Sequence, residues 1–205
     1  MVIKDALKFA KEVIVVDDAS EDATADVSRA AGAMVIRHLE NSGAGAATMT
    51  GIEAARRLGA DIVVTLDADG QHDAADIPRM LQPVLDDRAD IVFGNRFGQR
   101  NHIPVVRRIF NGIGNVLTFI AAGRWVEDSQ CGFKVFGPKA LKEIDLKMSG
   151  FEFCTEIVRE SVIRRWRTAE VPTKVTYSEY TMAKGQSFAR GVQTALKILL
   201  RSFLR

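Results

Sequence analysis

Residues 63–78 read VVTLDADGQHDAADIP: a β-branched and apolar run, then two carboxylates one residue apart, Asp67 and Asp69, then a polar turn leading to Pro78. The run has the composition of a buried strand, and Pro78 suits a first helical turn, where the amide it lacks would have no partner. A strand therefore ends near Asp67 and a helix starts near Asp76. The same pattern recurs along the first half. Apolar runs at 13–16, 33–36 and 91–94 are separated by helical patterns at 22–31 behind Ser20, at 44–58 behind Asn41-Ser42-Gly43, and at 76–85. Strands alternating with helices predict an α/β fold, a parallel doubly wound sheet whose ligands lie beyond the carboxyl ends of the strands. Asp17-Asp18 and Asp67-Ala68-Asp69 both fall at such ends, on strands predicted to be neighbours.

The bulk numbers set the frame. With 205 residues, 47% of them hydrophobic, the chain can bury a core without disulfides or structural metal, and it reads as one domain, 1–205. Lys and Arg total 28 against 26 Asp and Glu, a net charge of +2, too even to attract nucleic acid through bulk electrostatics. Cys131 and Cys154 match no metal-ligand spacing and read as core thiols of a reducing compartment, which places the chain in the cytoplasm. Residues 1–13 carry an amphipathic helical pattern without the apolar core of a signal peptide, and no uninterrupted apolar run approaches bilayer-spanning length. The second half holds an amphipathic segment at 103–122, then VEDSQCGFKVFG (126–137), a helix at 153–166 and the strand-like AEVPTKVTYSEY (169–180). A C-terminal amphipathic helix at about 187–205 sets Phe188, Val192, Ala195, Leu196, Leu199 and Phe203 opposite Arg190, Lys197 and Arg201. That helix and the 103–120 segment suit core contact on one side and an anionic lipid surface on the other.

Two acids at a strand exit repel each other unless a cation, a set of hydrogen-bond donors or protonation offsets the charge. Either pair alone reads equally as ordinary loop and cap carboxylates, because Asp is enriched where strands turn into helices. Together they favour a divalent cation. Oxygen ligands select Mg²⁺ or Mn²⁺, which keep positions open for phosphate oxygens and so stabilise a departing diphosphate. Gln71 adds a neutral oxygen beside them.

VIVVDDASEDAT (13–24), the 41–72 stretch running from NSGAGAA to LDADGQH, DIVFGNRF (90–97) and DSQCGFKVF (128–136) stand in one order. Together they resemble family 2 glycosyltransferases with the nucleotide-sugar-binding GT-A fold, in particular the polyprenyl-phosphate or dolichyl-phosphate mannose and glucose synthase branch. The resemblance runs from about Asp5 to Ser187. It implies a mostly parallel, Rossmann-like sheet flanked by helices, and inverting transfer from a UDP- or GDP-sugar to a polyprenyl phosphate. Asp17 and Asp18 would contact the nucleoside. Asp67 and Asp69 would form the DxD motif, with Asp69 the leading metal ligand, Gln71 an accessory one, and Asp67 facing ribose or metal. Arg96 would approach the diphosphate or acceptor, and Asp128 stands where the family carries its catalytic acid. A phosphate monoester is already ionised near neutral pH, so with that acceptor Asp128 would orient its neighbours instead of removing a proton. Arg96, Arg107 and Lys184 would then clamp the phosphate, at the inner face of the cell membrane.

Departures from the pattern carry their own expectations. Family members begin with a strand bearing a PxYNE-like motif, whereas this chain starts at the helix that would follow it. The fold is therefore expected to be N-terminally truncated, with an open edge that invites a second copy or a partner-supplied strand. Ala44 replaces a common Lys, although Gly43 and Gly45 still permit close backbone approach at a helix N-terminus. Cys131 stands for a serine and Lys184 for an arginine, which loses the bidentate fork. His72 reads as a hydrogen-bonded loop histidine, and Glu156 either as an acceptor-side residue or as a surface carboxylate. Three rival readings stand beside it: a binding or scaffold relative that has lost turnover, a nucleotidyltransferase, for which no glycine-rich, Lys/Arg-bearing loop is found at the N-terminus, and a phosphorelay receiver with Asp67 as phosphoacceptor. Receivers are shorter, and no Lys-Pro pair follows in the right place.

Overall fold

A computed structural model of the chain describes residues 1–99, 101 and 103–176. The elements in order are α1 (Val2–Ala6), β1 (Ile14–Asp17), α2 (Thr24–Ala30), β2 (Met34–Arg37), α3 (Ala44–Arg57) and β3 (Val63–Thr65). A 3₁₀ turn, Ala74–Asp76, leads into α4 (Ile77–Leu85). Then come β4 (Ile91–Asn95), α5 (Val105–Ala122), β5 (Lys134–Phe136), α6 (Pro138–Glu143), α7 (Phe153–Ile163) and β6 (Thr168–Pro172). Asp73 starts the 3₁₀ turn by accepting the Ala75 amide, and Pro78 sits in the first turn of α4 as its sequence requires.

Alternation along the strands builds two apolar layers. Val63, Ile91, Phe93 and Phe136 face a cluster containing Ile52 of α3, Ala140 of α6 and Ile157 of α7. Val64, Val92 and Val135 face the opposite cluster, with Ala6 of α1 and Ile77 and Met80 of α4. Helices thus cover both faces of the sheet, as an α/β fold demands.

The pairing departs from the predicted sheet in two ways. β5 lies between β3 and β4 and runs antiparallel to both, while β4 pairs with β6 in parallel. The reason is a tertiary contact. Asp128 holds the backbone and side chain of Arg96 just past β4, which pins the loop before β5 at the carboxyl rim, so the chain enters β5 from that rim. In addition, β1 and β3 are not neighbours. β1 pairs only with β2, in parallel, and among the described residues no backbone hydrogen bond joins it to β3.

Three further expectations are adjusted. The N-terminal helix is short, ending at Ala6, and β6 ends at Pro172, with Val175 then bridging to His72. The C-terminal helix at about 187–205 lies outside the described residues. No uninterrupted apolar run in the sequence approaches bilayer-spanning length, yet α5 is one helix of 18 residues, with mean hydropathy 1.2, sufficient by length and composition to cross a bilayer. Its Asn115, Thr118 and Ala122 are buried, and Thr118 bonds the Thr155 hydroxyl of α7, so one face of the helix belongs to the domain.

Candidate active site

The carboxyl rim of β3 carries the two acids of the opening stretch. The Thr65 hydroxyl donates to the Gly132 carbonyl at 2.8 Å, drawing the loop before β5 against the end of β3. Asp67 then leans over Gly132: a methyl group there would lie 2.3 Å from its Oδ2 and 2.5 Å from its Oδ1. Its side chain remains 61% exposed. Asp69 is also exposed, and its Oδ1 accepts the Gln71 amide at 2.9 Å while the Gln71 carbonyl accepts the Thr176 amide. Among the described residues no three His, Cys, Asp or Glu side chains converge as a metal cage. Two exposed carboxylates past a strand end, one of them above a glycine, suit a hard cation that takes its other oxygens from water and phosphate.

Below them His72 is buried, edge-to-face on Phe133, with Nε2 4.0 Å from Asp67 Oδ2 and 3.9 Å from Cys131 Sγ. Burial, aided by the Arg96 charge, pulls its pKa down to about 4, so it is a neutral imidazole at pH 7. Burial likewise pushes the Cys131 thiol up to about 12, so it is no thiolate, and both cysteines are buried free thiols as expected. The cradle makes a sharp test. Gly132→Ala forces the Asp67 side chain to swing away but leaves the core untouched. Uptake of a divalent ion at this rim, read by titration with Mn²⁺, is expected to weaken at least tenfold, with a stability change within about 1 kcal/mol.

The second cluster is the pair formed by Arg96 and Asp128. Arg96 Nε and its backbone amide donate to Asp128 Oδ2 at 2.7 and 2.9 Å, and Nη2 donates to Oδ1 at 2.7 Å. Asp128 is 0% exposed. A carboxylate gripped by a bidentate guanidinium and an amide holds that guanidinium in place. Its loop is fastened from α5, where Asn115 Oδ1 accepts both the amide and the hydroxyl of Ser129.

Lys134, which sequence reasoning passed over, is a further feature of this loop. Its ammonium is buried, donates to the Cys131 carbonyl, lies 3.5 Å from Cys154 Sγ and sits 5.7 Å from the centre of the Phe153 ring. A lysine inside the apolar stretch GFKVF was its signal. It ties the backbone beneath the Gly132 cradle.

The Asp17-Asp18 pair forms a separate arrangement. Asp18 Oδ1 accepts the Ser42 amide at 2.8 Å and bonds His38 Nδ1 at 2.7 Å, and Oδ2 accepts the Gly43 amide at 2.8 Å. His38 Nε2 reaches the Thr50 hydroxyl at 3.0 Å. Asp18 therefore fastens the entry to α3. Asp17 Oδ1 accepts the Ser20 amide, and its Oδ2 lies 3.4 Å from Arg37 Nε. No bond among the described residues links either acid to Asp67 or Asp69. Gly43 and Gly45 do serve a close backbone approach, but the backbone is the chain's own: the Gly45 amide donates to Ser149 O at 2.7 Å, and a methyl at Gly45 would lie 2.0 Å from Met148 O.

Asp18 yields a pH prediction. Burial alone would raise its carboxyl, but the Ser42, His38 and Gly43 bonds outweigh that and hold it below the usual carboxylate value. A lowered folded-state pKa contributes stability above the unfolded value near 3.9, and this is lost as pH falls through the folded value. Asp18→Asn is therefore expected to be less stable than the parent at pH 7, with the gap closing toward pH 3 in denaturant titrations.

Of the remaining predicted residues, Arg107 lies half-buried in the first turn of α5, and Lys184 falls outside the described residues. Glu156 is not on a surface. It is buried and accepts the Lys147 and Met148 amides, which shapes the loop that covers α3.

The family model described as "Glycosyl transferase family 2" matches residues 2–145, and the chain belongs to that family. It is a glycosyltransferase of the GT-A type. A UDP-N-acetylglucosamine–dolichyl-phosphate N-acetylglucosaminyltransferase of Methanococcus voltae is 36% identical over 172 residues, 82% of this chain and 68% of that protein. An undecaprenyl-phosphate mannosyltransferase of Micrococcus luteus is 30% identical over 186 residues, 85% and 75% of the two chains. In fold, the chain is similar to glucosyl-3-phosphoglycerate synthase from Mycobacterium tuberculosis in complex with Mn²⁺ and UDP-glucose. That match has a TM-score of 0.70 and 18% identity, covering 98% of this chain and 72% of that one.

Proposed function

We propose that the chain transfers a sugar, with inversion, from a UDP- or GDP-sugar to a polyprenyl phosphate. The observation that carries this reading is the pair of exposed carboxylates past the end of β3, Asp67 above Gly132 and Asp69 in the turn after it, together with Arg96 held by Asp128. Asp67 and Asp69, with Gln71, hold Mg²⁺ or Mn²⁺. When bound, that ion neutralises charge growing on the diphosphate leaving group. Arg96, oriented by Asp128, offers a fixed cation to a phosphate of donor or acceptor, and Arg107 and Lys184 extend that clamp. Asp128 removes no proton, because an ionised phosphate acceptor needs no base. Asp18 shapes the nucleoside side by holding the loop at 42–43 in place, and Asp17 by holding the turn at Ser20.

The acceptor half is supported by two observations. Relatives with polyprenyl and dolichyl phosphate in their names cover most of this chain. The outer face of α5 exposes Val105, Val106, Ile109, Ile113, Val116 and Ile120, with Arg107 and Arg108 in its first turn. An apolar face with basic residues at one end suits a helix lying on anionic lipid, the surface where a polyprenyl chain is found.

One observation favours a second reading, a nucleotide-sugar-binding protein with little turnover: β1, which carries the nucleoside-side acids, is not joined to β3. The test is a donor screen with Mg²⁺ or Mn²⁺ against polyprenyl phosphate and the matching polyprenol. Glycosylation of the phosphate alone supports the proposal. Nucleotide binding without product from any donor supports the second reading, and glycosylation of the polyprenol at an equal rate contradicts the phosphate acceptor.

A further inference from the structure

Residues 173–176 follow β6 and lie between the two parts of the candidate site, and their backbone amides alternate between those parts. The Thr173 amide donates to the Asn95 carbonyl at 2.9 Å and the Val175 amide to Asn101 Oδ1 at 3.1 Å, both on the side of Arg96. The Lys174 amide donates to Asp76 Oδ2 at 2.6 Å and the Thr176 amide to the Gln71 carbonyl at 2.9 Å, both on the side of the acids past β3. Val175 also bridges to His72, the neighbour of Gln71. Amides that point to opposite sides in turn are how an extended chain joins two neighbours at once. Here the segment is a strap between the turn of Arg96 and the turn that carries Asp69 and Gln71.

On the Arg96 side the strap is held by one side chain. Asn101 Nδ2 donates to the Arg96 carbonyl at 2.7 Å and to the Thr173 carbonyl at 2.8 Å, while its Oδ1 accepts the Val175 amide. Both its N–H groups and its oxygen are thus engaged on backbone, and a single planar amide fixes the Arg96 main chain against residues 173–175. We propose that Asn101 is a positioning residue for sugar transfer: through the strap it sets Arg96 at a fixed separation from the turn of Asp69 and Gln71. Its role rests on the reading of Asp67 and Asp69 as ion ligands and of Arg96 as a cation for phosphate. Asn101 touches no substrate in this role. It acts on rate because a displacement of about 1 Å between groups that meet the reacting phosphates costs up to about a hundredfold.

Four forms of the full chain test it: unaltered, Asn101→Ala, Thr176→Pro, and both changes together. Thr176 is exposed, and proline there removes the amide that reaches the Gln71 carbonyl. Should Asn101→Ala fail to fold, Asn101→Asp, which keeps the acceptor for Val175 and loses both donors, takes its place in every arm. Hydrogen exchange without substrate comes first. In Asn101→Ala the Lys174 and Thr176 amides are expected to exchange at least about tenfold faster, although their own acceptors on Asp76 and Gln71 are unaltered. A purely local contact would free the Val175 amide alone. Initial rates follow, with Mn²⁺, polyprenyl phosphate and the nucleotide-sugar that the parent accepts. Each single change is expected to lower kcat at least about tenfold with KM for the donor within about threefold, because no bond among the described residues joins 173–176 to Asp67 or Asp69. Both changes cut the same strap, so the double variant should fall no more than about threefold below the slower single one, whereas independent contacts would multiply to about a hundredfold. Faster exchange confined to Val175, full kcat in Asn101→Ala, or losses that multiply overturn the inference. A parent that transfers no sugar from any donor contradicts the proposed function and removes the role of Asn101 in transfer with it, while exchange at Lys174 and Thr176 still decides whether the strap joins the two turns.

Discussion

Asp69→Ala is expected to lower the rate of sugar transfer by about 10³-fold while leaving the fold intact, because removing one element of transition-state charge stabilisation costs roughly that much. The two halves of this expectation come from different observations. Asp69 is exposed, and its bond to the Gln71 amide closes a short turn, so its loss costs stability only about 1 kcal/mol or less. Its position beside Asp67 on the rim of β3 leaves no other described carboxylate to replace it. Initial rates with saturating donor and Mn²⁺, set beside thermal unfolding of the same preparation, check both halves. A variant that retains full rate shows that the rim acids are not used in transfer. One that loses rate only through unfolding makes Asp69 structural.

Asp128→Ala is expected to act in the opposite way, chiefly on stability. Arg96 would remain buried with its carboxylate partner gone, a change that costs about 3–5 kcal/mol. For a chain of this length that lowers Tm by roughly 10 °C. Asp128→Asn retains shape and one acceptor and should fall between the two. The pH dependence separates positioning from base catalysis: with a polyprenyl phosphate acceptor, the parent and Asp128→Asn are expected to show pH–rate profiles of the same form, displaced in height. A limb that disappears in Asp128→Asn would make Asp128 a base. The double change Arg96→Met with Asp128→Leu should recover most of the stability and none of the activity, since a buried ion pair is replaceable for folding but not for binding phosphate.

Much of the fold was legible because its signals are local. Apolar runs closed by a polar residue, with helical patterns between them, locate β1 to β4 and α2 to α4 within a few residues. β5 was not legible. Three residues, Lys134–Phe136, are too few for a period, and a lysine in the run argues against a strand until the Cys131 carbonyl and the Phe153 ring account for it. Its direction depends on the grip of Asp128 on Arg96, a contact 32 residues apart in sequence that no local pattern reveals. The rim acids were visible as a motif, yet the cradle was not, since Gly132 lies 65 residues from Asp67 along the chain. Asp18 shows the reverse: its motif suggests a ligand contact, while the structure employs the carboxylate on the chain's own amides. The bland reading of an Asp at a strand end, a carboxylate capping the next turn, thus describes the bonds that Asp18 makes.

The account stands on the claim that Asp67 and Asp69 hold a divalent ion against a nucleoside diphosphate. Titration of Mn²⁺ by its electron paramagnetic resonance signal, with UDP or GDP present, tests it directly on the parent and on the Asp67→Asn, Asp69→Asn double variant. The parent should take up one ion per chain when the matching nucleotide is present, and the variant should bind it at least about a hundredfold more weakly. Equal uptake by both proteins would contradict the claim.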